Sequence, residues 1–166
     1  MRKKIKLFDP IIDDSEGKEI IKILKSGFWA SGSGSGKVKE FEKKFCEYTN
    51  AKECVAVNSG TSALNLALSL ADVKNKEVIL PSLTFVSTAH AILLNGGKPV
   101  FADINPKTLC LDPIEVKKLI TKKTAAILPV HFAGMAAELE EFQKICRNKK
   151  IQIIEDAAHA AGTKYK

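Results

Sequence analysis

The strongest constraint on this chain is a regular alternation of short apolar runs with helical segments. The runs 54–57, 77–80, 99–102, 125–130 and 151–154 are nearly continuous in apolar residues, the pattern of parallel strands buried on both faces. Between them, 61–70, 84–94, 113–120 and 136–147 carry helical spacing, with Asp112 as cap and Pro113 at the first helical position. Strand, helix and strand repeated along one chain imply right-handed crossovers and a doubly wound, mainly parallel α/β sheet with helices on both faces. At 166 residues with 45% hydrophobic and 27% charged side chains, the chain has the length and balance of one globular core.

The first 36 residues read as a separate segment, with the sheet-forming part at 37–166. A helix is expected over 13–25, capped by Asp14 or Ser15 and stopped by Gly27, and another from Val38 to about Asn50 through Phe41, Phe45 and Tyr48. Between them, 27–36 combines Phe28 and Trp29 with Gly27, Gly32, Gly34 and Gly36. Exposed Trp is costly in a plain linker, so these aromatics are expected to be buried or to line a site. The 32–37 stretch is not a P-loop, because Ser31 stands where the first Gly belongs and Val38 follows Lys37. Its spacing fails the dinucleotide fingerprint as well.

With 26 Lys and Arg against 19 Asp and Glu, the net charge is +7, which raises a nucleic-acid reading. Only Arg2 and Arg147 are arginines and the lysines are spread along the chain, so a lysine-rich solvated surface explains the charge and no nucleic-acid partner is expected. No apolar stretch reaches the ~18 residues of a membrane span, and the basic start lacks a signal-peptide core, so a cytoplasmic protein without a membrane partner is expected. Cys46, Cys54, Cys110 and Cys146 form no CxxC pair and no metal spacing with histidine; reduced structural thiols and no metal are expected.

In open α/β sheets, ligands bind beyond the carboxyl ends of the strands. There, 59–63 reads Ser-Gly-Thr-Ser-Ala between a strand and a helix. Gly60, Thr61 and Ser62 offer backbone N–H groups, hydroxyls and a helix dipole to a phosphate; an ordinary helix cap is the equal reading. Asp156 ends an apolar strand, where a carboxylate needs a cation or hydrogen-bond donors: it suits a protonated heterocycle, or else caps a loop. His159 suits a cofactor oxygen or a structural role, and Phe85 suits stacking on an aromatic ligand or simply starting a helix. His131 and His90 read as structural. Together, a phosphate cradle, an aromatic platform and an acid on three strand ends describe a pocket for pyridoxal 5'-phosphate.

These segments, in the order Asn-Ser-Gly-Thr-Ser-Ala-Leu, Leu-Pro-Ser-Leu-Thr-Phe-Val-Ser-Thr, Lys-Pro-Val-Phe-Ala-Asp-Ile, Leu-Pro-Val-His-Phe-Ala-Gly and Ile-Ile-Glu-Asp-Ala-Ala-His-Ala, resemble the DegT/StrS sugar aminotransferases of fold type I. The resemblance runs from about Leu7 to Lys166. It implies that Thr61 and Ser62 bind the cofactor phosphate, Phe85 stacks on the ring, Asp156 partners the pyridinium and His159 lies near the phenolic oxygen. The 28–32 segment, with Trp29 and Ser31, matches the family's loop near cofactor and sugar. The implied reaction moves an amino group from glutamate to a keto sugar linked to a nucleotide, in polysaccharide biosynthesis, by a homodimer.

The family's Schiff-base lysine lies beyond the Glu-Asp-Ala-Ala-His motif. Neither Lys164 nor Lys166 occupies its position, so the catalytic lysine is not identified within these residues. The chain is accordingly expected to be the N-terminal portion of an aminotransferase, with an incomplete cofactor-binding large domain at 37–166. In the family the 54–57 strand pairs with a later strand, so it is expected to lack its neighbour here. Two alternatives stand: a remnant or split-enzyme half that binds a phosphorylated ligand without transamination, and a family dehydratase lacking the lysine.

Overall fold

A computed structural model of the chain describes residues 9–29 and 36–165. They divide into two compact units, the first ending at Ala56 and the second beginning at Val57.

The first unit holds two helices, α1 (Asp14–Ser26) and α2 (Gly36–Thr49). The α1 cap is Asp13, one residue before the expected Asp14 or Ser15. Its carboxylate accepts from the Ser15 N–H at 2.7 Å while Glu16 accepts from the Asp13 N–H at 2.8 Å, a reciprocal capping box. Gly27 ends the helix in the left-handed conformation. Residues 51–56 then run back beside α2, with the Ala56 N–H donating to Glu42 Oε1 at 2.9 Å.

The second unit contains α3 (Gly60–Ser69), β1 (Glu77–Pro81), α4 (Val86–Leu94), β2 (Lys98–Ala102), α5 (Pro113–Leu119), β3 (Thr124–Ile127), a 3₁₀ turn (Phe132–Gly134), α6 (Leu139–Cys146) and β4 (Gln152–Ile153). The strands pair in parallel in the order β2-β1-β3-β4. Each parallel pair is joined through a helix, as the alternation predicts. Central β1 is apolar because both faces are covered. Val78 and Leu80 pack with Leu64 and Leu68 of α3 and Ala91 and Ile92 of α4, whereas Ile79 packs with Val116 of α5 and Phe142 and Ile145 of α6. Gly97 lets α4 turn tightly into β2: a Cβ there would stand 2.9 Å from Ile92 Cγ2 and 3.2 Å from the Ile92 carbonyl oxygen.

The structure corrects one expected strand. Residues 54–57 form no ladder among the described residues, and Val55 and Val57 are exposed. Apolar composition favours a strand only where a neighbouring backbone is present to pair with it. Other elements differ at their ends: α6 begins at Leu139 instead of 136, and the run through 130 ends as a regular strand at Ile127. Of the two expectations for Phe28 and Trp29, burial is not found: both are exposed, the Trp29 indole donates to the Leu24 carbonyl at 3.2 Å, and Phe28 lines a concavity of the first unit with Ile23, Gly36 and Lys37.

Candidate active site

Beyond the ends of β3 and β4 the backbone pairing resumes for one step. The Asp156 N–H donates to the Pro129 carbonyl at 2.9 Å, and the His131 N–H donates to the Asp156 carbonyl at 3.1 Å, closing a parallel bridge between Val130 and Asp156. This bridge fixes where the Asp156 carboxylate stands, half-buried at the C-terminal end of the sheet. Thr88, fully buried in the first turn of α4, donates its hydroxyl to Asp156 Oδ2 at 3.0 Å. The Thr84 hydroxyl lies 2.8 Å from that of Thr88, so with the Thr88 proton committed to the carboxylate, Thr84 donates in turn. The Ala158 N–H adds a longer bond to Oδ1 at 3.3 Å. Among the described residues no cation pairs with this carboxylate, which leaves it suited to a positively charged ring nitrogen.

Phe85 is the N-cap residue of α4, one helical turn before Thr88, and its side chain is 74% exposed with no capping hydrogen bond. The Thr88 bond therefore brings the aromatic-bearing end of α4 and the Asp156 segment together. A ring exposed to that degree is available to stack on a flat ligand.

The α3 N-terminus is built by Ser59, whose Oγ accepts from the Ser62 N–H at 3.1 Å. The Ser62 hydroxyl donates to Asn58 Oδ1 at 2.7 Å, so both polar groups of Ser62 serve the cap. The groups left without an acceptor among the described residues are the N–H groups of Gly60 and Thr61 and the Thr61 hydroxyl. Nothing lies within 4 Å of a Cβ built on Gly60, so the space above this turn is open to an anion. No hydrogen bond among the described residues joins Gly60, Thr61 or Ser62 to Phe85 or Asp156. Their helices meet directly instead, through the Asn95 amide, which donates to Asn65 Oδ1 at 2.8 Å.

His159 is exposed and its Nδ1 accepts from the Ala133 N–H at 3.2 Å, leaving Nε2 unused, while its ring meets Phe132 edge-on at 5.9 Å. Ala133 has φ of 51°, a left-handed conformation that costs a non-glycine residue about 1 kcal/mol, and the His159 bond helps hold it. His131 is buried with both ring nitrogens engaged: Nδ1 accepts from the Ala137 N–H at 3.0 Å, so the proton sits on Nε2 and goes to Glu155 Oε2 at 2.8 Å. Trp29 belongs to the first unit, and Ser31 lies outside the described residues.

All four cysteines are free, and burial pushes the Cys46 and Cys146 thiols up, with Cys54 adding to the shift at Cys46. Among the described residues no group of three or more His, Cys, Asp or Glu could hold a metal, and no helix is long and apolar enough to cross a membrane.

The sequence matches the DegT/DnrJ/EryC1/StrS aminotransferase family over residues 10–166. The chain belongs to this family. It is 42% identical over 158 residues to the spore coat polysaccharide biosynthesis protein SpsC of Bacillus subtilis, covering 95% of this chain and 40% of that protein. It is 36% identical over 164 residues to the GDP-perosamine synthase of Caulobacter vibrioides, covering 98% of this chain and 44% of that enzyme. Among solved structures, it superposes on a GDP-4-keto-6-deoxymannose-3-dehydratase holding a trapped PLP-glutamate geminal diamine with a TM-score of 0.87 and 28% identity, over 98% of this chain and 43% of that one. The DegT/DnrJ/EryC1/StrS chain thus has the fold of the fold type I enzymes and spans less than half the length of these relatives.

The residues present fit pyridoxal phosphate: free N–H groups over open space at Gly60 and Thr61, an exposed ring at Phe85, and a carboxylate with hydroxyl and N–H donors but no cation. Sequence reasoning missed Thr88 and Thr84. The signal was present, because Thr88 shares the core-facing stripe of α4 with Ala91 and Ile92, where a hydroxyl requires a partner.

Proposed function

We propose that this chain supplies the cofactor-binding part of a pyridoxal-phosphate-dependent aminotransferase that moves an amino group from glutamate to a keto sugar linked to a nucleotide. The observation that carries the proposal is the Asp156 carboxylate, set at the sheet's C-terminal end by the Val130 bridge and oriented by Thr88. When bound, the cofactor supplies an electron sink for the proton transfers of transamination.

The chain's own residues do the rest of the binding work. The Gly60 and Thr61 N–H groups and the Thr61 hydroxyl hold the phosphate, and Ser62 joins them only if it leaves Asn58. Phe85 covers one face of the ring and excludes water from it. The Asp156 carboxylate faces the ring nitrogen as its charge partner, and the Thr88 and Ala158 hydrogen bonds hold that carboxylate in place. His159 Nε2 is the free nitrogen of its ring, available to a cofactor oxygen. Trp29 and Ser31 are assigned to the sugar side, and residues 37–166 to an incomplete large domain.

Support comes from family membership and from relatives named for such activities, including a GDP-perosamine synthase and a UDP-4-amino-4-deoxy-L-arabinose–oxoglutarate aminotransferase. The test is transamination of a keto sugar nucleotide with glutamate by the protein carrying these residues, with visible absorbance reporting the bound cofactor. Asp156→Ala is expected to abolish turnover, and full activity in that variant overturns the role given to Asp156. Cofactor binding without transamination in the unaltered protein indicates instead a part that only binds.

A further inference from the structure

The loops entering β1, β3 and β4 converge at the N-terminal end of the sheet, away from the residues assigned to the cofactor. They line an open concavity of about 830 Å³, within the size range of small-molecule sites. Its walls carry Lys76, Lys122, Lys123, Lys149 and Lys150, with Asp72 the acid in the lining. Asp72 is already paired with Lys76 at 2.7 Å, an interaction that holds its carboxyl below its usual range. Nearby Glu77 is occupied as well, accepting from the Thr121 hydroxyl at 2.6 Å and facing Lys98 at 3.9 Å. The Lys122-Lys123 and Lys149-Lys150 doublets therefore present their charge without an ion-pair partner among the described residues. Although the lysines are spread along the sequence, folding gathers five of them around one concavity in a chain whose net charge is +7.

We propose that this cavity binds a small ligand through its diphosphate group. Lysine ammoniums attract a compact, multiply charged anion as point charges, and a concave low-dielectric wall strengthens the attraction. Ala71, Ile120, Ala125 and Ile151 give the floor apolar area for the part of the ligand that carries the phosphates. The lining holds no arginine and no aromatic ring, the groups that read base edges and stack on single strands, which favours a diphosphate over a nucleic acid. The inference stands independently of the aminotransferase proposal.

The test titrates the protein with inorganic pyrophosphate, a nucleoside diphosphate, inorganic phosphate and a single-stranded oligonucleotide, read by calorimetry. Three variants are compared: Lys122→Glu/Lys123→Glu and Lys149→Glu/Lys150→Glu in the cavity, and Lys43→Glu/Lys44→Glu on α2 as a control of equal charge. Pyrophosphate is expected to bind more tightly than phosphate, and each cavity variant to weaken it about tenfold or more at low salt, with less effect at high salt. The control variant is expected to bind as the unaltered protein does. Nucleoside diphosphate binding tighter than pyrophosphate, and weakened by the cavity variants as pyrophosphate binding is, identifies the apolar floor as a contact, and equal binding makes the diphosphate alone the ligand. Equal affinity for phosphate and pyrophosphate, an equal loss in the control, no loss in the cavity variants, or tighter binding of the oligonucleotide overturns the proposal.

Discussion

The Thr88 hydroxyl connects a fully buried helix position to a half-buried carboxylate, and its removal should be measurable. Thr88→Val keeps the shape and deletes the donor, so Asp156 retains only the longer Ala158 bond. A hydrogen bond to a charged group contributes about 1.5–3 kcal/mol, and the partial exposure of Asp156 favours the lower end, about a tenfold loss in retention of pyridoxal phosphate. Equilibrium dialysis against the cofactor checks this, with Thr88→Ser expected to retain binding; unchanged retention in Thr88→Val would reduce the hydroxyl to a space-filler. The positions of Asp156 and Phe85 past strand ends were legible in the sequence, whereas Gly60 was read from the end of the 54–57 run, which forms no strand among the described residues and leaves only the α3 start. Thr88 was not legible, since a threonine within an apolar helix reads as core until a carboxylate from 68 residues later meets it. Ser62 was legible as a polar group at the right turn, but not its commitment to Asn58.

At the scale of elements, the sharpest constraint lies where α4 turns into β2. A methyl group at Gly97 would press on Ile92 Cγ2, the Ile92 carbonyl and Val73 at once, and backbone cannot yield as a side-chain tip does. Gly97→Ala should cost about 1–3 kcal/mol, read as a lower denaturant midpoint with an unchanged slope. The α2 helix offers a pH test. Glu40 lies between Lys37 at 2.9 Å and Lys44 at 2.8 Å, and hydrogen bonds to Lys44 first and Lys37 second push its carboxyl down to about 2 from 4.5. Because the folded value is the lower one, the stabilisation is present above pH 4.5 and is lost as pH falls towards about 2. The protection of α2 amides relative to their intrinsic exchange rates at each pH should therefore fall over that window, and less so at high salt, where exposed pairs are screened. The alternation of apolar runs and helices made the crossovers and the covered central strand legible. The 54–57 run shows its limit: composition marks a segment fit to pair, and pairing depends on a neighbour that composition does not supply.

Across the second unit, the parallel sheet separates two chemistries: Phe85 and Asp156 stand beyond the C-terminal ends of its strands, and the lysine-walled cavity lies at their N-terminal ends. The helical layer over one face adds a third surface, because several large apolar side chains stand on its outer side among exposed Asn65, Ser69 and His90. On α4, Val86, Leu93 and Leu94 fall within one sector of the helix at 56%, 55% and 73% exposure, with the exposed His90 between them, opposite the buried Thr88 and Ile92. Neighbouring α3 exposes Leu66, and its C-cap residue Leu70 is exposed as well. Scattered exposed leucines need no explanation, but three exposed apolar side chains within one sector of a helix do. A homodimer supplies a cover if the same stripe on two copies meets about a two-fold axis, because a self-complementary apolar face buries itself without requiring charge partners. Sedimentation equilibrium is expected to show a dimer, and Leu93→Glu/Leu94→Glu to shift it towards monomer, since both side chains already face water and the fold loses little by their change. A concentration-independent monomer in the unaltered protein, or a dimer untouched by that double substitution, would remove α4 as the interface.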